Sequence, residues 1–226
     1  MRRSRLRVLK TLATSGLFDL AQTLDSGQVF HFEDATCGGQ KGFAGCIGDR
    51  PVWVGQDPDD RESVMVRRQD APTVSHFFRF DEPMAAVHAT FPADDEVLNE
   101  AIAHCPGLRI IRQPVWECLA TFITSSLKQV IHIRQISLTL RERFGVAHRV
   151  AGRTVSAYPT PAAIAEAGER ALRYCALGYR AKGLSLTAEA IARGDADLSE
   201  LDSLDDAEAR EFLMQFHGVG AVSYTH

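Results

Sequence analysis

Phe216-His217-Gly218-Val219-Gly220 closes an amphipathic pattern that begins near Asp205 and sets Leu213 and Phe216 three residues apart on one face. Two glycines around one apolar residue make a tight turn whose backbone comes close to a phosphate, and the N–H groups opening a following helix point at such an anion. The stretch therefore predicts helix, turn, helix. A Gly-x-Gly turn alone is a weak signal; with Leu213-x-x-Phe216 before it, it is moderately specific. The sequence runs only six residues past Gly220, to His226. The second helix barely begins, and the chain is expected to be cut off within this element. Leu213 and Phe216 are accordingly expected to expose an apolar face that absent helices would cover.

Upstream of the turn, nearly everything from Pro114 onward has helical period. Val115–Ile123 is apolar almost all round and starts after a proline, which predicts a buried central helix. Gln129–Phe144 is amphipathic and stops at Gly145. Shorter helices are predicted near 161–167, 169–176, 180–193 and 205–216, and before Pro114 near 84–91 and 97–102. The first third reads differently. Leu17–Leu20, Val29–Phe32, Gly42–Gly48, Pro51–Val54 and Ser63–Arg68 are short apolar stretches separated by Asp/Gly/Ser/Pro turns, which suits an antiparallel meander. Strands first and helices after predict an α+β chain, with domains over residues 1–105 and 106–226.

The chain has 226 residues, 45% hydrophobic and 24% charged, as in ordinary globular proteins. No apolar run approaches the ~20 residues that span a bilayer. Met1-Arg2-Arg3-Ser4-Arg5 is basic but leads into no apolar signal segment, and reads as an exposed arm. The five cysteines are far apart and offer no metal-ligand spacing, so reduced thiols, no metal and no cofactor are expected. The net charge of −4 argues against a non-specific nucleic-acid coat but not against a local basic patch.

Three segments carry potential chemistry. Asp25-Ser26-Gly27-Gln28-Val29-Phe30 reads locally as a turn entering a strand. Leu177-Gly178-Tyr179-Arg180-Ala181 places an aromatic and an arginine at a helix start, where a packing tyrosine and a surface cation are the common reading. The third is the terminal turn. Together with Gly107-Leu108-Arg109-Ile110-Ile111-Arg112-Gln113-Pro114-Val115-Trp116-Glu117-Cys118-Leu119 and Phe122-Ile123-Thr124-Ser125-Ser126, and in this order, the chain resembles the 8-oxoguanine DNA glycosylases of the helix-hairpin-helix superfamily along essentially its whole length.

The resemblance implies an N-terminal twisted antiparallel sheet with flanking helices, similar to half of a TATA-binding protein, then an all-α helix-hairpin-helix domain. It also implies bending of duplex DNA and extrusion of the damaged nucleotide into a pocket. Gly27 matches the glycine whose carbonyl accepts the extra N7 proton of 8-oxoguanine. Tyr179 matches the wedge that stacks in the opened duplex, and Arg180 the residue that reaches the orphaned cytosine. Gly218 and Gly220 match the phosphate-holding turn. The family's asparagine-rich stretch after the two serines is here Leu127-Lys128-Gln129, and His132 stands where an arginine usually contacts the cytosine. Two cytosine readers are therefore changed, which leaves opposite-base selectivity open. Lys128 could instead meet a phosphate.

The family's nucleophile, a lysine two residues after the second hairpin glycine, is Val222 here, and a later aspartate would lie past His226. An amine that attacks C1′ of the sugar gives the Schiff base that permits β-elimination, and valine has none. No catalytic residue is thus expected in the chain as it stands, and Val222–His226 is expected not to be the native continuation. The resulting expectation is a base-excision-repair N-glycosylase/AP lyase for oxidised purine, truncated and inactive. The alternatives are a monofunctional alkylated-base glycosylase of the same superfamily and a non-catalytic lesion-binding protein. Double-stranded DNA is the expected partner, the protein a cytoplasmic (in a bacterium, nucleoid-associated) monomer without membrane attachment. Lys182 and Lys128 are the amines whose approach to DNA the sequence leaves open.

Overall fold

Residues 9–220 are described in the computed structural model. They divide into two units, residues 9–113 with 148–155 and residues 114–147 with 156–220. The change therefore falls at Gln113/Pro114, eight residues past the boundary expected from the sequence.

In the first unit, strands β1 (Leu9–Ala13), β2 (Glu33–Cys37), β3 (Gln40–Ile47), β4 (Arg50–Gly55) and β5 (Ser63–Arg67) form one antiparallel sheet in the order β1-β5-β4-β3-β2. The register sets Leu12 opposite Val64, Phe43 opposite Val54 and Ala44 opposite Trp53. Alternate residues Val52, Val54, Val64 and Val66 face a core shared with Phe18, Phe77, Phe78 and Phe80. Full burial of each such side chain contributes roughly 1.5–3 kcal/mol. Helices α1 (Leu20–Leu24), α2 (Ala71–Phe77), α3 (Met84–His88) and α4 (Glu96–His104) flank the sheet.

The expected meander is present over β3, β4 and β5, but the apolar stretches before it are not strands. Asp19 Oδ1 accepts the Gln22 N–H at 2.9 Å and caps α1, so the run from Leu17 turns helical. Val29–Phe32 joins no ladder, and pairing starts only at Glu33.

In the second unit, α5 (Val115–Ser125), α6 (Val130–Phe144), α7 (Pro161–Leu172), α8 (Arg180–Arg193) and α9 (Asp206–Met214) enclose Leu119, Ile123, Ile136, Leu140, Ile164 and Leu184. A break at Gly168 (φ 70°) separates the two short helices the sequence predicts around it, and a wide turn over Arg173–Leu177 leads into α8. α5 is one-sided rather than enclosed: Leu119, Ala120 and Ile123 are buried, whereas Val115 is 43% exposed. Buried Glu117 on α5 pairs with Arg141 on α6, whose guanidinium also donates to Ser156 O at 3.1 Å and lies 5.3 Å from the Tyr158 ring. Strands β6 (Ala147–Val150) and β7 (Arg153–Ser156), which belong for the most part to the first unit, form a hairpin through Ala151-Gly152, both at positive φ. Among the described residues, no helix is long and apolar enough to cross a membrane.

Candidate nucleic-acid interface

In the second unit, three backbone segments converge on the start of α8. The first follows α5. Ser125 Oγ donates to Phe122 O at 2.8 Å and so occupies one of the carbonyls that end a helix. The Lys128 N–H then donates to Ser125 O at 3.1 Å, closing a four-residue turn. Ser126 has φ −53° and ψ 130°, and Leu127 has φ 54°. That is the type II pattern, which requires positive φ at its third residue and favours Gly or Asn there. A leucine in the left-handed region costs roughly 1–2 kcal/mol. This one is also 94% exposed, so no burial within the protein offsets the cost.

The second segment runs from Ala176 into α8. Ala176 and Gly178 have φ 63° and 60°, which carries the chain sharply into Tyr179. Tyr179 is 63% exposed. Arg180 is buried: its Nε donates to Ser126 O at 2.7 Å, its Nη2 donates to the same carbonyl, and its guanidinium lies 4.3 Å from the Tyr179 ring. The surface-cation reading of Arg180 is thus incorrect. Lys128 Nζ donates to Ala176 O at 3.4 Å. These bonds tie the 125–128 turn to residues 176–180. His132 is exposed on the first turn of α6.

The third segment is the hairpin turn. Phe216 is buried and meets Phe212 edge-on, ring centroids 5.6 Å apart. The expectation that Leu213 and Phe216 are exposed is therefore corrected, since Phe216 belongs to the core and Leu213 is partly buried against it. Val219 N donates to Phe216 O at 3.1 Å, and Gly218 has φ 99°. A Cβ on Gly183 would lie 2.8 Å from His217 O, so the turn comes this close to α8 only because residue 183 lacks a side chain. Gly220 borders open space. Val222 lies outside the described residues.

Gly27 belongs to the first unit. It is exposed with φ 86°, and a Cβ there would meet nothing within 4 Å, so its backbone conformation rather than crowding calls for glycine. The neighbouring Gln28 is a stitch that local sequence does not reveal. Its Nε2 donates to Arg109 O at 2.9 Å and its Oε1 accepts from Ile111 N at 3.0 Å. Arg109 is fully buried and donates to the carbonyls of Thr14, Ser15, Arg79 and Glu82. An open cleft of about 790 Å³ lies elsewhere in this unit, beside Asp19, Lys41, Arg61 and Arg153, and contains none of the residues singled out from the sequence. Among the described residues no group of His, Cys, Asp or Glu is arranged to hold a metal. Burial pushes the Cys37 and Cys175 thiols up, away from thiolate.

The structure thus joins Lys128, Tyr179 and Arg180, and sets the Gly218 turn against the same helix. The residue whose environment the sequence did not convey is Leu127; its only local signal is an apolar residue at the tip of a Ser-Ser-x-Lys-Gln stretch.

Residues 10–119 match the family described as 8-oxoguanine DNA glycosylase, N-terminal domain. Over that stretch the chain is similar to the 8-oxoguanine DNA glycosylases. It is 26% identical over 211 residues to the Arabidopsis thaliana protein named N-glycosylase/DNA lyase OGG1, a match covering 89% of this chain and 57% of the relative. It is 33% identical over 126 residues to the Saccharomyces cerevisiae N-glycosylase/DNA lyase, covering 50% of this chain and 34% of that one. The chain therefore spans little more than half the length of the plant relative. Its fold matches the Clostridium acetobutylicum 8-oxoguanine glycosylase/lyase in complex with double-stranded DNA containing cytosine opposite 8-oxoguanine. There the TM-score is 0.79 at 26% identity, over 91% of this chain and 70% of the other.

Proposed function

We propose that this chain binds duplex DNA at an oxidised purine, chiefly 8-oxoguanine, as the lesion-recognising part of a base-excision N-glycosylase/DNA lyase. The observation that carries the reading is the exposed Tyr179 ring at the start of α8, backed by the Arg180 guanidinium and flanked by the hairpin turn. An aromatic surface that enters a base stack, beside a backbone turn that accepts a phosphate, is what extrusion of a nucleotide needs. Similarity to a glycosylase/lyase complexed with 8-oxoguanine-containing DNA supports this choice of lesion. Gly27, with its exposed carbonyl-bearing turn, is the proposed reader of the N7 proton.

Excision with strand cleavage needs an amine at C1′. Val222 supplies none. In our reading, the 226-residue chain recognises the lesion and does not cleave.

The test is fluorescence anisotropy with an 8-oxoguanine:cytosine duplex and its undamaged counterpart, with borohydride trapping alongside. Preference for the damaged duplex by about tenfold, equivalent to ~1.4 kcal/mol, with no covalent adduct is expected. Equal binding to both duplexes overturns the lesion reading, and a trapped adduct overturns the non-cleaving half.

A further inference from the structure

Helices α3 and α4 each carry an apolar stripe at helical spacing. On α3 it is Met84 and Val87, continued by Phe91 in the turn that follows; on α4 it is Ile102 and the capping Cys105. A stripe of this kind is ordinarily buried against a neighbouring element. Here neither helix has a buried residue. With Leu108, the two stripes line a cavity of about 300 Å³ that lies wholly in the first unit. An apolar cavity of about 150 Å³ takes a benzene-sized molecule, so this one has room for two fused rings or an alkyl chain of about eight carbons. The lining also includes Arg79, Glu82 and Arg109. Arg79 pairs with Glu82 at 2.9 Å, and Arg112 pairs with both Glu82 and Asp81. Three guanidinium groups thus stand against two carboxylates. The excess charge falls to buried Arg109, which donates to carbonyls and, among the described residues, to no carboxylate. Its Nε–H has no acceptor among the described residues.

We infer that this cavity is a binding site for a small apolar carboxylate, whose hydrocarbon part lies against Met84, Val87, Phe91 and Ile102 and whose anionic group offsets Arg109. The site is separate from the lesion-binding surface and does not depend on that reading. Charge decides the class of ligand. A buried cation is costly unless it is paired, and a neutral hydrocarbon of the same size would fill the cavity and leave Arg109 as it was. An ammonium would add to the excess of positive charge. A carboxylate accepts a charge-assisted hydrogen bond, roughly twice as strong as a neutral one, so it is preferred over an amide of the same shape. An apolar body held by half-buried side chains, with one polar group to fix its orientation, is the usual composition of a small-molecule site.

The test is calorimetric titration of the full chain with naphthoate, and with naphthamide and naphthylmethylammonium as its neutral and cationic counterparts. Naphthoate is expected to bind at a single site with a Kd of about 1 mM or tighter. Naphthamide is expected to bind about tenfold more weakly, and the ammonium to give no saturable heat. Ile102→Trp, which places an indole in the cavity, is expected to weaken naphthoate binding by about tenfold or more. Alkylation by N-phenylmaleimide, located by peptide mass spectrometry, gives a second reading in the unaltered chain. Naphthoate is expected to slow modification of Cys105, which lines the cavity, and to leave exposed Cys118 unaffected. Absence of saturable naphthoate binding up to about 10 mM, or equal affinity for naphthamide, overturns the inference. Unchanged reaction of Cys105 at saturating naphthoate places the ligand elsewhere and overturns it too, whether or not Ile102→Trp folds.

Discussion

Arg109 is the residue on which the first unit most depends. Its guanidinium is removed from water, and burial draws its pKa down while leaving it charged. Four backbone carbonyls from two separate segments accept from its two terminal nitrogens. Arg109→Met removes the donors and strands the carbonyls, so a loss of about 3 kcal/mol is expected, read as a lower urea midpoint. Arg109→Lys is expected to recover little, because an ammonium cannot reproduce the planar fork. Backbone handedness gives a second contrast. Gly27 and Leu127 both have positive φ, at 86° and 54°. Gly27→Ala puts a Cβ into open space but forces it into a disfavoured conformation, and about 1 kcal/mol is expected to be lost in thermal unfolding. Leu127→Gly runs the other way and is expected to be no less stable than wild type. The two measurements separate a side chain held at positive φ from a glycine used where the backbone demands it.

At the scale of elements, α5 and α6 are joined by the buried pair Glu117–Arg141. Burial raises the Glu117 carboxyl above its ordinary 4.5, with the Arg141 charge opposing. The folded state therefore holds a proton that the unfolded chain has already released. Its favourable contribution is complete below pH ~4.5 and declines as pH climbs through the interval above it. Chemical denaturation at a series of pH values is expected to show that decline in wild type and a flatter profile in Glu117→Gln. α9 gives a simpler case: Asp205 accepts the Ala207 and Glu208 N–H groups while Glu208 reaches back to Asp205 N. Asp205→Ala is expected to cost about 1 kcal/mol and to raise amide exchange in the first turn of α9. Caps and period made α4 and α6 to α9 legible in the sequence. β3 to β5 were legible because one buried face repeats every second residue. β2 was not, because it is an edge strand in which Ala35 alone is buried. The hairpin of β6 and β7 was not, because Ala151 at positive φ resembles no common turn signal. The same limit applies to the interface: Tyr179 and Gly218 were visible as motif positions, whereas nothing local announces a leucine at φ 54° or a serine carbonyl that buries Arg180.

Over the whole molecule, the charge of −4 bears on the proposed binding of DNA. A net negative protein gains no long-range attraction to a polyanion, so encounter depends on the few cations near the contact surface, such as Lys128 and the exposed Lys182. On the proposed reading, affinity then comes from contacts made after docking: main-chain approach at the Gly218 turn and the exposed ring of Tyr179. This predicts a division between rate and equilibrium. Association is expected near the unsteered range of ~10⁵–10⁶ M⁻¹s⁻¹, and log affinity is expected to fall against log salt with a slope of only about −2 to −3, the release of a few counterions. Stopped-flow anisotropy between about 50 and 200 mM salt measures both. Near-diffusional association that collapses with salt would show instead that a concentrated basic surface drives binding. In that case short-range contacts at the start of α8 and the Gly218 turn would not be the main source of affinity.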